Sequence, residues 1–360
     1  MAKVGVVFGG RSVEHRVSVT SARTVAKGLA EAGHEVVGLG IAPDGGWVPL
    51  DTAARALAGE VDAFEPVGRS IGETLPVLLE AAVDCAFPIV HGTFGEDGTL
   101  QGLFEMLGLP YVGPGVTASA VAMDKLVAKS VLAAAGIPVV EYRGFRRERF
   151  EAEPAACLAE TEALPLPLFV KPSVGGSSVG VVKVEERGAL AEAIRFALRF
   201  DDAVLVEKGV AGRELEVAVL GGRPLAASVV GEIVPGREFY DYSDKYLTDG
   251  AQLLAPADLP EAASSRIRST ATAAFAALGG WGLARVDFFL AEDGALFVNE
   301  LNTLPGFTAI SMYPRLWGLT GLPLPQLVDR LVALAFERQA ERERLDAGIK
   351  GWLAELAVRG

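Results

Sequence analysis

The sequence predicts an α/β protein in which an N-terminal domain with a doubly wound parallel sheet is followed by two α+β domains. Three observations support this prediction. Apolar runs typical of buried strands alternate with helical segments through residues 1–116, the pattern of a parallel sheet covered by helices. A loop rich in Gly and Ser joins two strand-like segments within residues 117–212. Residues 213–360 contain an Asp-Gly hairpin between two apolar strands and end in helices.

The composition is that of a large, acidic globular chain. Its 360 residues are enough for two or three domains, and its formal net charge of −13 argues against nucleic-acid binding through phosphate neutralisation. The two cysteines, Cys85 and Cys157, have no metal-ligand spacing and are too few for a disulfide scaffold. The N-terminus lacks the layout of a signal peptide, and no apolar run reaches the roughly 18 residues of a membrane span. We therefore expect a cytoplasmic protein with no membrane partner.

The N-terminal domain is predicted from three strands and the helices between them. The segment KVGVVFGG is a buried strand, and a helix over residues 17–32 follows it and stops at Gly33. The second strand is EVVGLGI. The third covers residues 84–90 and leads through HGTFGEDGTLQG into a helix that ends near residue 107. The segment YVGPG, residues 111–115, marks the boundary to the central domain.

The central domain begins with a helix predicted over residues 117–135, which Gly136 and Pro138 terminate. The strand VVEYRGF, a short helix after Pro154 and the strand LPLFVKP follow. The loop SVGGSSVG then leads to the strand VGVVKV and a helix over residues 188–200. Two further strands, AVLVEKGV and RELEVAVLGG, lead into the C-terminal domain.

The C-terminal domain contains a polar segment, residues 235–252, that is long for a loop in a compact domain. Such loops are often lids over a binding site, and we predict a lid here. A helix is expected over residues 260–278, before the Asp-Gly hairpin and the C-terminal helices. The charged helical segment after Arg338 carries no motif, and no function is assigned to it.

The hairpin RVDFFLAEDGALFVNELN carries four polar side chains on otherwise apolar strands. With Asp-Gly as a two-residue turn, Asp287 lies opposite Glu300 and Arg285 lies opposite Asn302. Because side chains alternate along a strand, these four share one face. The other face is apolar and comprises Val286, Phe288, Leu290, Phe297 and Leu301. Two facing carboxylates repel each other, and a divalent cation with oxygen ligands relieves that repulsion. The alternative is a solvated outer face with an accidental acidic pair.

Four further segments contain candidate binding residues. In KPSVGGSSVG the glycines allow backbone N–H groups to approach an anion, although a plain flexible loop is the alternative. The acids of EKGVAGRELEV suit ribose hydroxyls unless they line a solvated strand face. The segment HGTFGEDGTLQG follows a strand at the sheet edge where open α/β sheets bind ligands. In GGRSVEHRVS, Glu14 either receives an ammonium group or caps the next helix.

Together with MDKLVAK, EFYDYSDKYLTDG and NELNTLPGF, these segments resemble the D-alanine–D-alanine ligase family of the ATP-grasp superfamily, in order and along nearly the whole chain. The resemblance implies a three-domain ATP-grasp fold, with ATP sandwiched between the central and C-terminal domains. It implies an enzyme that joins two D-alanine molecules through an acyl phosphate, with two Mg²⁺ ions or Mn²⁺, for peptidoglycan precursor synthesis. It also implies a homodimer.

The resemblance also implies roles for individual residues. The ATP phosphates would contact Lys125 and Lys171 and would be covered by the glycine-rich loop with Ser173, Gly176 and Ser178, and Lys245 would also bind the cofactor. Adenine and ribose would contact Glu207, Lys208, Val210 and Glu214. The metal ligands would be Asp287, Glu300 and Asn302. The clamp on the reacting oxyanion would be Arg285 and the backbone N–H of Gly306.

The two amino-acid substrates are assigned in the same way. The first D-alanine would meet Glu14 and His91, and the second would meet Ser311 and Met312. The lid residue Tyr246 would bond with Glu14 and Ser177. Two alternatives stay open: a ligase that makes a D-alanyl-D-lactate ester, and a non-catalytic module whose hairpin only holds ATP. An arginine clamp argues against the second, because a pure nucleotide binder has no oxyanion to stabilise.

Overall fold

The computed structural model describes residues 1–234 and 252–359, and its described strands form three sheets. Almost all of the predicted lid segment lies outside these residues, together with Lys245 and Tyr246. The mixed α/β architecture predicted from the sequence is confirmed.

The N-terminal sheet is parallel, with the strand order β2-β1-β3. Apolar side chains pack on both of its faces, since Val6 and Phe8 belong to one buried cluster and Val7 to another. This is the doubly wound arrangement that the alternating pattern predicts. The elements are β1 (Lys3–Gly9), α1 (His15–Glu31), β2 (Glu35–Ile41), α2 (Leu50–Leu57), α3 (Ile71–Thr74), α4 (Pro76–Glu80), β3 (Cys85–Pro88) and α5 (Thr99–Met106).

The central sheet is antiparallel, with the strand order β4-β7-β5-β6. Its elements are α6 (Val116–Met123), α7 (Lys125–Ala134), β4 (Tyr142–Arg146), α8 (Arg147–Ala152), α9 (Pro154–Glu160), β5 (Leu168–Pro172), β6 (Val182–Val184), α10 (Leu190–Ala197) and β7 (Ala203–Lys208). A 3₁₀ turn, Arg187–Ala189, precedes α10.

The single helix predicted over residues 117–135 is wrong, because the chain breaks at Asp124. This residue is extended, with φ −88° and ψ 103°, and its carboxylate accepts hydrogen bonds from the backbone N–H groups of Leu126 and Val127 at 3.1 and 3.2 Å. Asp is a strong N-cap residue, so it starts a new helix rather than continuing the old one. Lys125 thereby becomes the first residue of α7.

The C-terminal sheet is antiparallel, with the strand order β10-β9-β8-β11-β12. Its elements are β8 (Gly212–Gly221), β9 (Leu225–Val234), β10 (Gln252–Leu254), α11 (Glu261–Ala277), β11 (Gly282–Ala291), β12 (Leu296–Asn302), α12 (Met312–Leu319) and α13 (Leu324–Arg359). No single helix among the described residues has the length and hydropathy of a membrane span; only α12 and α13 together, joined at a bend of 105°, meet those criteria.

The β11–β12 hairpin confirms the predicted pairing of its polar residues but not its turn. Asp287 lies opposite Glu300 and Arg285 opposite Asn302, as expected. Towards the turn the register differs from the predicted one by one residue, because Ala291 pairs with Ala295 and leaves a loop of three residues instead of two. One extra residue in β12, a bulge, restores the predicted register at Asp287 and Glu300. Phe297 therefore lies on the opposite face from the one predicted, half-buried, with its ring centroid 5.5 Å from the Lys208 ammonium.

One buried cluster joins the N-terminal sheet to the C-terminal helices. It contains Phe8 and Phe87 from β1 and β3 together with Phe307, Tyr313 and Leu331. The indole N–H of Trp281, on the loop before β11, donates to the Leu334 carbonyl at 2.8 Å. This shared core fixes the ends of β1 and β3 relative to β11 and β12, the strands that carry the predicted metal ligands and Arg285.

Candidate active site

A cleft of about 510 Å³ lies where the three sheets meet. Most of the site residues predicted from the sequence line it, namely Glu14, His91, Lys125, Lys171, Gly176, Ser177, Ser178, Glu214, Arg285, Asp287, Glu300, Asn302, Gly306, Ser311 and Met312. Ser173 and Glu207 are buried, and Lys208 and Val210 are half-buried at or just after the end of β7. The hydroxyl of Ser173 donates to Asp124 at 2.6 Å, so its contact with a nucleotide stays a prediction.

The polar face of β11 and β12 is a compact charge network. Arg285 donates two hydrogen bonds of 2.7 Å to the two oxygens of Asp287, and Asn302 donates to the same carboxylate at 2.9 Å. Arg285 Nε also lies 3.1 Å from Oε1 of Glu216, a buried residue of β8 and one of the acids of EKGVAGRELEV, for which no contact with Arg285 was predicted. Burial opposes the charge of Arg285, but Asp287 and Glu216 outweigh it and hold the pKa of the guanidinium well above its usual value. Arg285 is therefore a fixed cation.

The donors on this face suit a hard cation. Asp287 and Glu300 both line the cleft and contribute carboxylate oxygens, and Asn302 adds an amide oxygen. Among the described residues, no group of three or more His, Cys, Asp or Glu is placed to hold a metal ion. Protein oxygens alone would thus leave the coordination shell incomplete, as is usual for Mg²⁺ sites that share their ligands with substrate phosphates.

Two lysines reach the cleft from the central domain. The Lys125 ammonium donates to the Gly175 carbonyl at 2.6 Å and lies 3.9 Å from Glu300. Lys171, on β5, lies 2.5 Å from a carboxylate oxygen of Glu207. Positive charge from one side thus meets the carboxylates of the hairpin from the other.

A third lysine, Lys129, belongs to the same network and was missed in the sequence analysis. Its ammonium lies 2.5 Å from the second oxygen of Glu207, and both side chains are almost fully buried. Burial alone would raise the pKa of Glu207, but Lys171 and Lys129 lower it to about 2, so this carboxylate is ionised. The four-residue spacing from Lys125 places both lysines on one face of α7, but the sequence does not show that Lys129 is buried against Glu207.

We expect Lys129→Met to weaken ATP binding by roughly tenfold, about 1.4 kcal/mol. Without Lys129, Glu207 would attract Lys171 more strongly and hold it back from the phosphates. The protein should also lose some stability, because one of the two cations paired with the buried Glu207 is removed while Lys171 remains. Calorimetry with ATP and thermal unfolding measure the two effects.

Two variants control this prediction. Lys129→Met combined with Glu207→Gln should be less stable than Lys129→Met alone, because Lys171 then also loses its carboxylate partner. Lys27→Met, at an exposed lysine of α1, should change neither quantity. Unchanged ATP affinity in Lys129→Met would remove Lys129 from the nucleotide site.

The glycine-rich loop has left-handed backbone at four positions, one of which is Gly180, with φ +75°. Gly175 has φ +136°, and Ser177 and Ser178 have φ +53° and +58°. Gly176, by contrast, lies outside this region, and a Cβ built on it would be 3.7 Å from a Glu14 carboxylate oxygen, an ordinary contact. The backbone conformation therefore favours glycine at Gly175 and Gly180, whereas Gly176 brings the loop close to Glu14.

We expect Gly175→Ala to weaken ATP binding severalfold and Gly176→Ala to have a smaller effect. A Cβ at Gly175 meets no atom within 4 Å, so the cost is purely that of an unfavourable φ, on the order of 1 kcal/mol. Titration calorimetry with ATP compares the two variants, with D-alanine binding as the control for an intact cleft. Equal ATP affinities would show that the loop conformation does not position the nucleotide.

Glu14 and His91 lie at the carboxyl ends of β1 and β3. Glu14 occupies the N-cap position of α1 but its side chain makes no capping hydrogen bond, which counts against the helix-cap alternative. His91 is buried, and burial lowers its pKa, so the ring is neutral. Its Nδ1 lies 2.9 Å from the Leu304 carbonyl and its Nε2 lies 3.3 Å from the Ser21 hydroxyl. His91 thus connects α1 to the loop after β12.

Glu96 fixes the same loop and was not singled out as a site residue. Its two oxygens accept hydrogen bonds of 2.8 Å from the backbone N–H groups of Gly92 and Leu304. Burial, reinforced by the nearby charge of Glu14, raises its pKa to about 8. The carboxyl is therefore largely protonated at neutral pH and joins segments more than 200 residues apart.

Stability is expected to fall as the pH rises through about 8, because Glu96 then ionises in a buried position. Its folded-state pKa lies above its unfolded value, so its contribution is fully present below pH 4.5 and is lost towards alkaline pH. Thermal unfolding of the unaltered protein and of Glu96→Gln at about pH 6 and about pH 9 tests this. The variant should be less stable at the lower pH but less sensitive to the change. Parallel pH profiles would contradict the assignment.

Gly306 and Ser311 are brought together by the turn before α12. The Ser311 hydroxyl accepts a hydrogen bond from the Thr308 backbone N–H at 2.9 Å, and a Cβ built on Gly306 would lie 2.9 Å from it. Met312 follows as the first residue of α12 and is buried. A side chain at position 306 would displace the Ser311 hydroxyl, and the glycine places its backbone beside Ser311 at one end of the cleft.

Comparisons with known proteins agree with this arrangement. Residues 131–333 match the D-ala D-ala ligase C-terminus family, and residues 3–114 match the D-ala D-ala ligase N-terminus family. The chain is 46% identical over 359 residues to D-alanine--D-alanine ligase A of Chromobacterium violaceum, with 95% of this chain and 97% of that protein covered. It is 44% identical over 362 residues to the D-alanine--D-alanine ligase of Acetivibrio thermocellus, with 93% and 96% covered.

Solved structures give the same result. The D-alanine-D-alanine ligase of Coxiella burnetii superimposes with a TM-score of 0.81 at 35% identity, over 98% of this chain and 99% of that chain. The VanG D-Ala:D-Ser ligase of Enterococcus faecalis superimposes with a TM-score of 0.79 at 35% identity, over 92% and 99%. The fold is the ATP-grasp fold that the sequence motifs imply, and the chain belongs to the D-alanine–D-alanine ligase family.

Proposed function

We propose that this protein joins two D-alanine molecules into D-alanyl-D-alanine, with conversion of ATP to ADP and phosphate, for peptidoglycan precursor synthesis. The observation that carries the proposal is the meeting of two opposite charge sets in one cleft. Asp287 and Glu300 face the lysines that reach in from the central domain, with Arg285 beside them. Phosphoryl transfer depends mainly on such positioning and charge neutralisation.

The reaction has two steps. A carboxylate oxygen of the first D-alanine attacks the γ-phosphorus, the bond to the β-phosphate oxygen breaks, and ADP leaves. The amine of the second D-alanine, after losing a proton, then attacks the acyl carbon, and phosphate departs as the peptide bond forms. Arg285 and the backbone N–H of Gly306 stabilise the negative oxygen that develops at that carbon. Glu14 receives the ammonium of the first D-alanine, and Ser311 and Met312 hold the carboxylate of the second.

We further propose that Asp287, Glu300 and Asn302 hold two Mg²⁺ ions, for which Mn²⁺ can substitute. When bound, the ions neutralise charge on the ATP phosphates. The chain's own part is to hold two carboxylates in register and to keep Arg285 beside them. We also propose that the protein is a cytoplasmic homodimer. Closure of a lid that carries Lys245 and Tyr246 excludes water, which would otherwise hydrolyse the acyl phosphate.

Phosphate release in the presence of ATP, Mg²⁺ and D-alanine tests the proposal. A non-catalytic nucleotide binder would release no phosphate. Because a D-Ala:D-Ser ligase is among the similar structures, the product should be identified with equal D-alanine, D-serine and D-lactate supplied. We expect D-alanyl-D-alanine to predominate at pH 8; mainly ester or D-serine product would reassign the second substrate.

A further inference from the structure

The last turns of α13 form an exposed helix with one apolar face. Residues 343–357 are all exposed, so this part of the helix extends away from the body of the protein. Its apolar face, called here the C-terminal stripe, comprises Leu345, Ile349, Trp352, Leu353 and Leu356. Trp352 has 59% of its surface exposed. The family match ends at residue 333, so the stripe lies beyond it.

The stripe continues the face of α13 that is buried against the body of the protein nearer the start of the helix. Positions alternate by four and three residues from Leu331 and Ala335, which are buried, through Arg338 and Arg342 to the stripe. This is the heptad spacing of a helix that packs against another helix. Arg338 donates to the Tyr111 carbonyl at 2.8 Å, and Arg342 lies 2.7 Å from Glu105. Beyond Arg342, α13 extends away from the body.

An unpartnered helix of this kind is marginal in water. Helical segments of about 15 residues are only marginally stable without tertiary packing, and Gly348 and Gly351 lower the helix propensity of this one further. Five large apolar side chains on one face are also more than a soluble surface normally exposes in one patch. Where the helix leaves the body it passes Glu105, which is followed by Met106, with 90% of its surface exposed, and by Leu107. The marginal stability of the protruding helix and its exposed apolar face both indicate that a partner covers the stripe.

We propose that the C-terminal stripe binds the same stripe of a second copy of this chain, in an antiparallel pair of helices. Charge favours a second copy. Residues 339–360 contain four acidic and four basic residues, whereas the whole chain carries −13. Because its charges balance, this segment can contact the same segment of a second copy without the electrostatic repulsion that two acidic surfaces of this chain would have. A membrane-surface helix would instead need an excess of Lys and Arg on its polar face.

The antiparallel direction follows from the bodies attached to the helices. Two bodies of net charge −13 repel, and antiparallel pairing places them at opposite ends of the helix pair. Leu345 then lies opposite Leu356 of the second copy, and Ile349 opposite Trp352. A standard interface buries about 800 Å² per partner, more than the stripe alone supplies. The exposed Met106 and Leu107 at the base of the helix extend the contact to the tip of the other copy's helix.

Sedimentation velocity of the full chain tests the contact. The unaltered protein is expected to form particles of an even number of 37.7 kDa chains, and Ile349→Glu combined with Trp352→Glu should halve the particle mass. Lys350→Ala, in the same segment but outside the stripe, should leave the mass unchanged. The stripe does not line the cleft, so ATP turnover should persist in every variant. A monomeric unaltered protein, or the same mass in the double variant, overturns the proposal. Stripe-dependent co-sedimentation with phosphatidylserine vesicles would assign the stripe to a lipid surface and overturn it too.

Disulfide trapping tests the direction. Leu345→Cys combined with Leu356→Cys should give covalent dimers on mild oxidation, while Leu345→Cys alone should give none. The two positions are about 16 Å apart on one helix, too far for a bond within one chain. The native cysteines, Cys85 and Cys157, are buried and give little background. Dimers from the single variant would indicate parallel helices, and absence of dimers from the double variant would exclude the pairing; either result overturns it.

Discussion

Asp287→Asn and Glu300→Gln are each expected to lower ATP turnover by about 10²-fold or more at saturating Mg²⁺, with the fold intact. Each change removes one negative charge from the pair that faces the cleft while keeping the size of the side chain. Loss of that charge weakens the hold on the proposed cations, and the ATP phosphates then carry more uncompensated charge in the transition state. Initial rates of phosphate release at increasing Mg²⁺ measure the effect.

The hairpin itself provides a matched control for this prediction. Asp293→Asn makes the same chemical change at an exposed residue of the turn and should leave turnover unchanged. Thermal unfolding should show that Glu300→Gln does not destabilise the protein greatly, because the change relieves repulsion with Asp287. Near-normal turnover of either cleft variant at high Mg²⁺ would contradict the metal assignment.

The paired carboxylates could be predicted from the sequence because strand alternation is a local property. The predicted turn was wrong, yet the polar pairing was right, since a three-residue loop and a bulge in β12 cancel. Phe297 lies between the two irregularities, and it is the residue whose face was predicted wrongly. A pattern of alternating side chains contains no information about a bulge, because one extra residue leaves the composition of the strand unchanged.

Glu216, Glu96 and Lys129 could not be assigned from sequence for a different reason. Each acts through a partner that is distant along the chain: Glu96 binds the backbone N–H of Leu304, 208 residues away, and Glu216 pairs with Arg285 across two strands. Acids and lysines in isolation are usually solvated surface residues. Only the folded structure shows these three to be buried. The break at Asp124, by contrast, was available from its capping preference.

Arg285→Lys is expected to lower turnover by about 10²- to 10³-fold with little change in ATP affinity. The guanidinium donates hydrogen bonds to both oxygens of Asp287, which fixes its plane beside the site proposed for the developing oxyanion. A lysine ammonium keeps the charge but is a point donor on a flexible stem, so it cannot reproduce that geometry. The loss should therefore appear in kcat, measured by phosphate release at saturating substrates.

Replacing Arg285 with lysine separates an effect on the reaction rate from an effect on the stability of the fold, because lysine keeps the positive charge. Arg285→Met would leave Asp287 and the buried Glu216 without their cation, which costs roughly 3–5 kcal/mol and obscures the kinetic effect. Arg213→Lys is the matched control, because Arg213 makes the same two-pronged contact with Glu232, at 2.7 and 2.6 Å, on the neighbouring strand β8. Neither residue of that pair lines the cleft. Equal losses of kcat in the two lysine variants would mean that Arg285 supports the sheet rather than the reaction, whereas a loss confined to Arg285→Lys places the guanidinium at the reacting carbon.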